Sequence, residues 1–233
     1  MANRVALLFQ DGNFVGREYF AKLAAAGRKP HLTVAIGQMK PESVAIEEAR
    51  TGGRWNPPQF PANHPTLRFD SLKNPSMIEV LRRERIDICI QGGIGILKAE
   101  HLALPRLGWI NVHPGRLPAY RGNSCPEWAL YEDAPIVATA HIIDQGIDTG
   151  PVICERAMKV PLDWSYADLR ARLYGHCADV LIEALARLDN ATPETLDRFV
   201  KPQPAEGARY LPQIPPDKLA TAKSKLRPEA VAA

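Results

Sequence analysis

Short apolar runs alternate along the chain with segments whose apolar residues recur every three or four positions. Val5 to Phe9 is a continuous apolar run, as expected of a strand covered on both faces. Gln10-Asp11-Gly12-Asn13 reads as a turn. Phe14, Tyr19, Phe20 and Leu23 follow at helical spacing, up to the helix-terminating Gly27. Leu32 to Ile36 reads as a second strand and residues 42–50 as a second helix, so the chain opens on a right-handed crossover unit.

Thr51 to Pro65 carries two glycines and four prolines and is expected to be a mobile loop. Leu67 to Phe69 reads as a brief third strand. Asn74 is an N-cap before Pro75 for a helix reaching about Arg85, and Asp87 to Ile90 is a fourth strand. Two further runs, Gly108 to Val112 and Ile136 to Ile143, read as strands, and Val152–Ile153 and Met158–Val160 as strand segments. Leu169, Leu173, Cys177, Val180, Leu181, Ala184 and Leu185 lay a long amphipathic helix over Trp164–Leu188. Beyond Asn190 prolines recur and the periodicity fades. The pattern predicts an α/β chain folded over residues 1–200, with residues 201–233 as an extended or partly disordered tail.

Charge narrows the choice of partners. The chain is +3 overall, and residues 218–233 supply that value through Lys218, Lys223, Lys225 and Arg227 against Glu229. The remainder is close to neutral, without the basic stripe of a nucleic-acid binder, so no nucleic-acid partner is expected. Cys89, Cys125, Cys154 and Cys177 lie far apart, which predicts buried free thiols rather than a disulfide or zinc framework. No apolar stretch resembles a signal peptide or a membrane helix, so a cytoplasmic protein with no membrane partner is expected.

Chemistry concentrates between residues 108 and 150. In open α/β sheets ligands sit outside the carboxyl ends of the strands. There, Asn111 and His113 share one face of an extended segment, because side chains alternate with period two. An amide donor stabilises a developing oxyanion, and an imidazole moves protons near neutral pH. Asp148, in the loop after the next strand, would orient and charge such a histidine. Each residue also has a plain structural reading, Asn111 and Asp148 as turn residues and His113 as a satisfied strand-end histidine. A metal site from His101, His113 and His141 has suitable residue types but long, irregular spacings. Ser124 and Cys125 read as the cap of a helix over residues 126–131 rather than as nucleophiles. The glycine-rich Gln91–Leu97 lacks the dinucleotide fingerprint and follows the fourth strand. Its apolar residues suit a flat heterocycle better than a phosphate.

Asn111-Val112-His113-Pro114, then Leu117-Pro118-Ala119-Tyr120-Arg121-Gly122, then Gly146-Ile147-Asp148-Thr149-Gly150-Pro151-Val152-Ile153 together resemble the 10-formyltetrahydrofolate-dependent formyltransferase family. That family includes glycinamide ribonucleotide transformylase, the catalytic domain of methionyl-tRNA formyltransferase and sugar N-formyltransferases. The resemblance is tight over residues 86–155. It implies a formyltransferase catalytic domain over residues 1–200 with a Rossmann-like, mostly parallel sheet, helices on both faces and a small mixed C-terminal extension.

It also implies Asn111, His113 and Asp148 as catalytic residues. Gly93, Ile94, Gly95, Ile96 and Leu97, with Ile143, Asp144, Gln145, Gly146 and Ile147, correspond to the two folate-contacting loops. The implied co-substrate is 10-formyltetrahydrofolate, with no metal. The implied mechanism has an amine attack the formyl carbon while Asn111 and a protonated, Asp148-oriented His113 hold the oxyanion.

The acceptor is where the sequence departs from the family. Gln10-Asp11-Gly12-Asn13 has one glycine and a carboxylate where the glycinamide ribonucleotide enzymes carry a phosphate loop, and the chain leaves no room for the RNA-binding domain of the transfer-RNA enzymes. Gly115 stands where many members have serine, which is expected to reshape the loop without touching the chemistry. A small-molecule amine is therefore expected, such as an amino sugar nucleotide, met by Gly12, Asn13, Arg116, Tyr120 and Arg121. The alternatives are a formyltetrahydrofolate hydrolase and a glycinamide ribonucleotide transformylase. A homodimer is an allowed assembly.

Overall fold

The computed structural model describes residues 3–228. Its first half runs β1 (Val5–Asp11), α1 (Phe14–Ala25), β2 (Leu32–Gln38), α2 (Pro41–Thr51), β3 (Leu67–Phe69), α3 (Pro75–Arg83), β4 (Ile88–Gln91) and α4 (Ala99–Leu102). Then come β5 (Gly108–His113), β6 (Arg121–Gly122), α5 (Cys125–Tyr131), β7 (Val137–Ile142), β8 (Val152–Ala157), α6 (Tyr166–Arg187), β9 (Tyr210–Leu211) and α7 (Pro216–Ser224).

The apolar runs become one seven-stranded sheet ordered β3-β2-β1-β4-β5-β7-β8. The pairs from β3 to β5 are parallel, whereas β5–β7 and β7–β8 are antiparallel. Alternate residues of β1 feed two cores. Leu7 and Phe9 pack with Leu23 of α1 and Leu181 of α6, while Ala6 and Leu8 pack with Met77 and Leu81 of α3. This double covering explains why β1 is apolar without a break. Helix starts follow their local chemistry: Asn13 Oδ1 accepts from Val15 N at 2.8 Å, and Asn74 Oδ1 accepts from Ser76 N at 3.0 Å with Pro75 next in line. No helix among the described residues is long and apolar enough to cross a membrane, and all four cysteines are buried and free.

Three segments differ from expectation. Residues 51–65 do not hang free: Phe60 stacks on Phe9 at 4.7 Å and Trp55 stacks on Tyr174 at 4.9 Å. Aromatic anchors tie down a loop that its prolines keep irregular. Met158–Val160 lies beyond β8 and is not a strand. Residues 201–228 are neither extended nor loose, since β9 pairs with β6, α7 packs on α5, and Leu211 and Ile214 enter a third core. Prolines separate these apolar residues too widely for a period to show. Residues 229–233 of the expected tail lie outside the described residues.

Candidate active site

Strand alternation puts Ile110 and Val112 into the core beneath α6, leaving Asn111 and His113 on the opposite face. The antiparallel register sets His141 across from Asn111 and Thr139 across from His113. Asn111 Nδ2 lies 3.2 Å from His141 Nε2. Thr139 Oγ1 donates to Gly115 O at 2.7 Å and holds the turn that follows β5. Asp148 reaches this face from the loop after β7. Its backbone adopts a left-handed φ of 55°. Gly150 is required beside it, because a Cβ there would collide with the carbonyl oxygen of Ile142.

The Asp148 carboxylate sits between two imidazoles. Oδ2 is 3.4 Å from His113 Nδ1, and Oδ1 is 3.6 Å from His141 Nε2. Gly122 N donates to Oδ2 at 2.9 Å. The other ring nitrogens meet carbonyls, His113 Nε2 at 2.6 Å from Tyr120 O and His141 Nδ1 at 3.0 Å from Ile142 O. A carbonyl only accepts, so these two nitrogens carry the hydrogens. His113 Nδ1 and His141 Nε2 both face the carboxylate.

Burial pushes the His113 imidazole below the ordinary histidine value of 6.5, outweighing the opposite pull of Asp148 and Tyr120 O. Burial thus favours the neutral ring, against the pull of Asp148 on which the expected charge depends. For Asp148, burial alone would raise the carboxyl. His141, His113 and the Gly122 N–H outweigh that and hold it below the usual carboxylate range. Burial, with Asp148 and Glu127 nearby, pushes the Cys125 thiol up to about 12, so it stays protonated and is no nucleophile.

Two cavities meet at this cluster. One, about 300 Å³, is lined by Asn111, His141 and Asp148 together with Gln91, Ile94–Leu97 and Ile143–Ile147. Its two loops carry the solvent-facing apolar side chains Ile96 and Ile147. Gln91 braces the first loop, donating to Ile94 O at 2.7 Å and accepting from Gly93 N at 3.1 Å. Asp144 Oδ1 braces the second, accepting from Gly146 N at 3.1 Å and Thr149 Oγ1 at 2.5 Å. The other cavity, about 240 Å³, is lined by His113 and Gly122–Glu127 with Arg50, Arg170, Tyr174 and Gln213. An apolar slot and a polar pocket thus flank one cluster of amide, imidazoles and carboxylate.

The structure brings Asn111, His113 and Asp148 together, and nine of the ten loop residues expected to contact folate line the first cavity. The tenth, Gly93, accepts from Asn13 Nδ2 through its carbonyl at 3.1 Å. None of the five residues expected to meet the acceptor lines either cavity. Gly12 forms the turn before α1 and Asn13 caps that helix, while the neighbouring Asp11 pairs with Arg68 at 3.0 Å. Arg116 faces Glu155 at 3.8 Å, and the Tyr120 hydroxyl donates to Glu132 at 2.7 Å. Arg121 donates to Gln203 Oε1 at 2.8 Å, and Gln203 Nε2 holds Asp148 O and Gly150 O at 2.9 and 2.7 Å. Arg121 therefore braces the aspartate loop from behind.

Gly115 packs closely against His113. A Cβ there would lie 2.7 Å from His113 Nε2 and 2.6 Å from Tyr120 O. His101 joins no cluster with the other histidines, its ring contacting Leu72 O and Lys98 N. His141, considered above only as a metal ligand, was visible as one of two polar residues spaced by two in an otherwise apolar run. Gln203 and Glu127 left no such trace.

The chain matches the family described as Formyl transferase over residues 4–185. Among curated proteins, methionyl-tRNA formyltransferase of Thermosynechococcus vestitus is 33% identical over 180 residues, covering 76% of this chain and 49% of that protein. Its counterpart in Roseiflexus sp. is 34% identical over 151 residues, covering 62% of this chain and 43% of that one. The chain thus spans about half the length, or less, of these relatives. Among solved structures, a phosphoribosylglycinamide formyltransferase from Streptococcus pneumoniae has a TM-score of 0.57 at 18% identity, covering 81% of this chain and 99% of that one. A 4-N formyltransferase from Francisella tularensis has a TM-score of 0.59 at 17% identity, covering 94% and 86%. These structural likenesses establish a shared fold.

Proposed function

We propose that this chain, which belongs to the formyl transferase family, moves a formyl group from 10-formyltetrahydrofolate to the amine of a small acceptor. The observation that carries the reading is the placement of Asp148 and His113, 3.4 Å apart, where the apolar slot meets the polar pocket. The slot suits a flat ring. Ile96 and Ile147 offer apolar faces, and the braced backbone offers hydrogen-bonding edges.

The acceptor nitrogen, free of its extra proton, attacks the formyl carbon, and the carbonyl oxygen becomes an oxyanion. The Asn111 amide donates to it, which is worth about 10² to 10³ in rate. The proton lost by the nitrogen passes to His113 Nδ1, creating an imidazolium paired with Asp148. Proton transfer of this kind contributes about 10² to 10⁴. Collapse restores the carbonyl and breaks the bond to the folate nitrogen, which takes the proton back through the Asp148 cluster. The products are an N-formyl compound and tetrahydrofolate.

A further cavity of about 790 Å³ shares Arg50 with the polar pocket and is also lined by Lys223 and Arg227. Lys223 and Arg227, with no carboxylate in the cavity's lining, suit the phosphates of a nucleotide-linked amino sugar. The second reading, an aminoacyl-tRNA acceptor, is favoured by the similarity to methionyl-tRNA formyltransferases. Purified protein is incubated with 10-formyltetrahydrofolate and either amino sugar nucleotides or methionyl-tRNA. Tetrahydrofolate release that requires the sugar amine supports the first reading, release that requires methionyl-tRNA the second. Release without any amine indicates a hydrolase and refutes both.

A further inference from the structure

Formyl transfer removes a proton on the acceptor side and delivers one on the donor side, and the structure holds an imidazole on each. His113 lines the polar pocket and not the apolar slot, whereas His141 lines the slot and not the pocket. Asp148 offers one oxygen to each ring, Oδ2 at 3.4 Å from His113 Nδ1 and Oδ1 at 3.6 Å from His141 Nε2. His141 turns its Nδ1 to Ile142 O at 3.0 Å. The edge that meets Asn111 and Asp148 at the slot wall is therefore its Nε2 edge.

A count of protons shows what this arrangement wants. With both rings neutral and their hydrogens on the nitrogens that face carbonyls, two ring lone pairs point at carboxylate oxygens, and both contacts repel. One added proton turns one contact into a charge-assisted hydrogen bond and makes the buried cluster neutral overall. A second would leave it with net positive charge in a poorly hydrated site. Burial disfavours charge on His113. For Asp148, burial is outweighed by His141, His113 and the Gly122 N–H, so the carboxyl stays ionised. His141 Nε2 is left as the seat of the single proton. A proton there also removes Nε2 as an acceptor for Asn111 Nδ2, 3.2 Å away, and frees that N–H for the oxyanion.

We propose that His141 is a second catalytic histidine, the acid that protonates the departing folate nitrogen. The competent cluster has His141 doubly protonated, Asp148 ionised and His113 neutral, which divides the acid and base roles between the two rings. As the tetrahedral adduct collapses, the bond from the formyl carbon to the folate nitrogen breaks. Its electron pair stays on that nitrogen and takes the Nε2 proton, while an oxyanion pair re-forms the carbonyl. His113 Nδ1 has accepted the proton of the incoming amine, so one proton enters the cluster and one leaves. Transfer from His113 to His141 across Asp148 resets the site. The assignment rests on the formyl-transfer reading.

Nitrogen-15 NMR of the histidine rings in the wild-type full chain tests the cluster without substrate. As pH falls, the first of the two rings to gain its second N–H should be His141, with His113 following at lower pH. The titratable groups facing His141 are Asp148, from the loop after β7, and His113 of β5. If His113 charges first, or together with His141, the proposal is overturned, and this arm requires no variant to fold.

Tetrahydrofolate release is then followed in His141→Gln with whichever amine wild type uses. Glutamine keeps the hydrogen bonding and has no proton to give. Its kcat should fall by about 10² to 10⁴, with affinity for 10-formyltetrahydrofolate kept within about twofold. An acid must be protonated to act, so the wild-type kcat should decline as pH rises through His141. That alkaline limb should vanish in His141→Gln while the acid limb set by His113 remains, whereas a merely structural role would lower the rate at every pH alike. Wild-type kcat in His141→Gln, or an alkaline limb that survives the substitution, overturns the proposal and leaves formyl transfer standing. Wild type that releases tetrahydrofolate with no amine dependence refutes formyl transfer itself, and the role of His141 with it.

Discussion

The two cavities at the Asn111–His113–Asp148 cluster are built in opposite ways. The apolar slot comes almost entirely from residues 91–97 and 143–148, each loop braced by a side chain of its own, Gln91 or Asp144. The polar pocket gathers Arg50 from α2, Gly122–Glu127 before and within α5, Arg170 and Tyr174 from α6, and Gln213 from the C-terminal segment. A pocket made of contiguous loops preserves its chemistry when the rest of the chain diverges. A pocket assembled from remote elements is free to change its ligand with single substitutions. This division suits an enzyme class that keeps one donor and varies its acceptor.

The contrast can be broken in several places. Asp148→Asn should give the largest loss, on the order of 10³ in kcat within the general acid–base range, with donor affinity preserved, as read by tetrahydrofolate release. Gly115→Val should follow at roughly 10², because a branched side chain there collides with His113 Nε2 and Tyr120 O and shifts the ring. Both act where the cavities meet, so both should affect every acceptor alike. Ile96→Ser should raise the donor KM about tenfold and leave the acceptor KM unchanged, since it removes one apolar face of the slot. An equal rise in both constants would show that the cavities are not independent.

The smallest expected effect is on stability. His113 and Asp148 both hold folded-state values below their ordinary 6.5 and 3.8, so the folded chain binds fewer protons than the unfolded one. Their contribution is fully present above about pH 6.5, declines as pH falls through that value, and is lost further through the carboxylate range. Melting scans at pH 7.5 and 5.5 should show a lower Tm at the acidic value, and His113→Asn should shrink the difference. The acid limb of kcat/KM should lie below pH 6.5 for the same reason.

The same contrast explains what could be read from the chain. β1, β5 and β7 were legible because burial on both faces demands unbroken apolar runs, and α6 because its buried stripe repeats every 3.6 residues. Asn111 and His113 were legible through period two, and Asp148 through a turn whose glycine neighbours are sterically required. The polar pocket was not. Arg121 and Tyr120 are adjacent to His113 in the fold yet turn to Gln203 and Glu132. The lining residues Arg50, Glu127 and Arg170 are separated by more than a hundred positions end to end, and no local pattern links them. The C-terminal helix was missed because prolines interrupt its few apolar anchors, and the loop 51–65 because aromatic docking leaves no period.

The most direct measurement follows the formyl carbon itself. Protein is mixed in excess over 10-formyltetrahydrofolate labelled with carbon-13 at the formyl group, with an amino sugar nucleotide, and the label is tracked by NMR in wild type and in Asp148→Asn. The account predicts that wild type moves the label into a formamide only when the amine is present, and that Asp148→Asn leaves it on the bound donor. Label appearing as formate regardless of amine, or moving equally fast in Asp148→Asn, would contradict it.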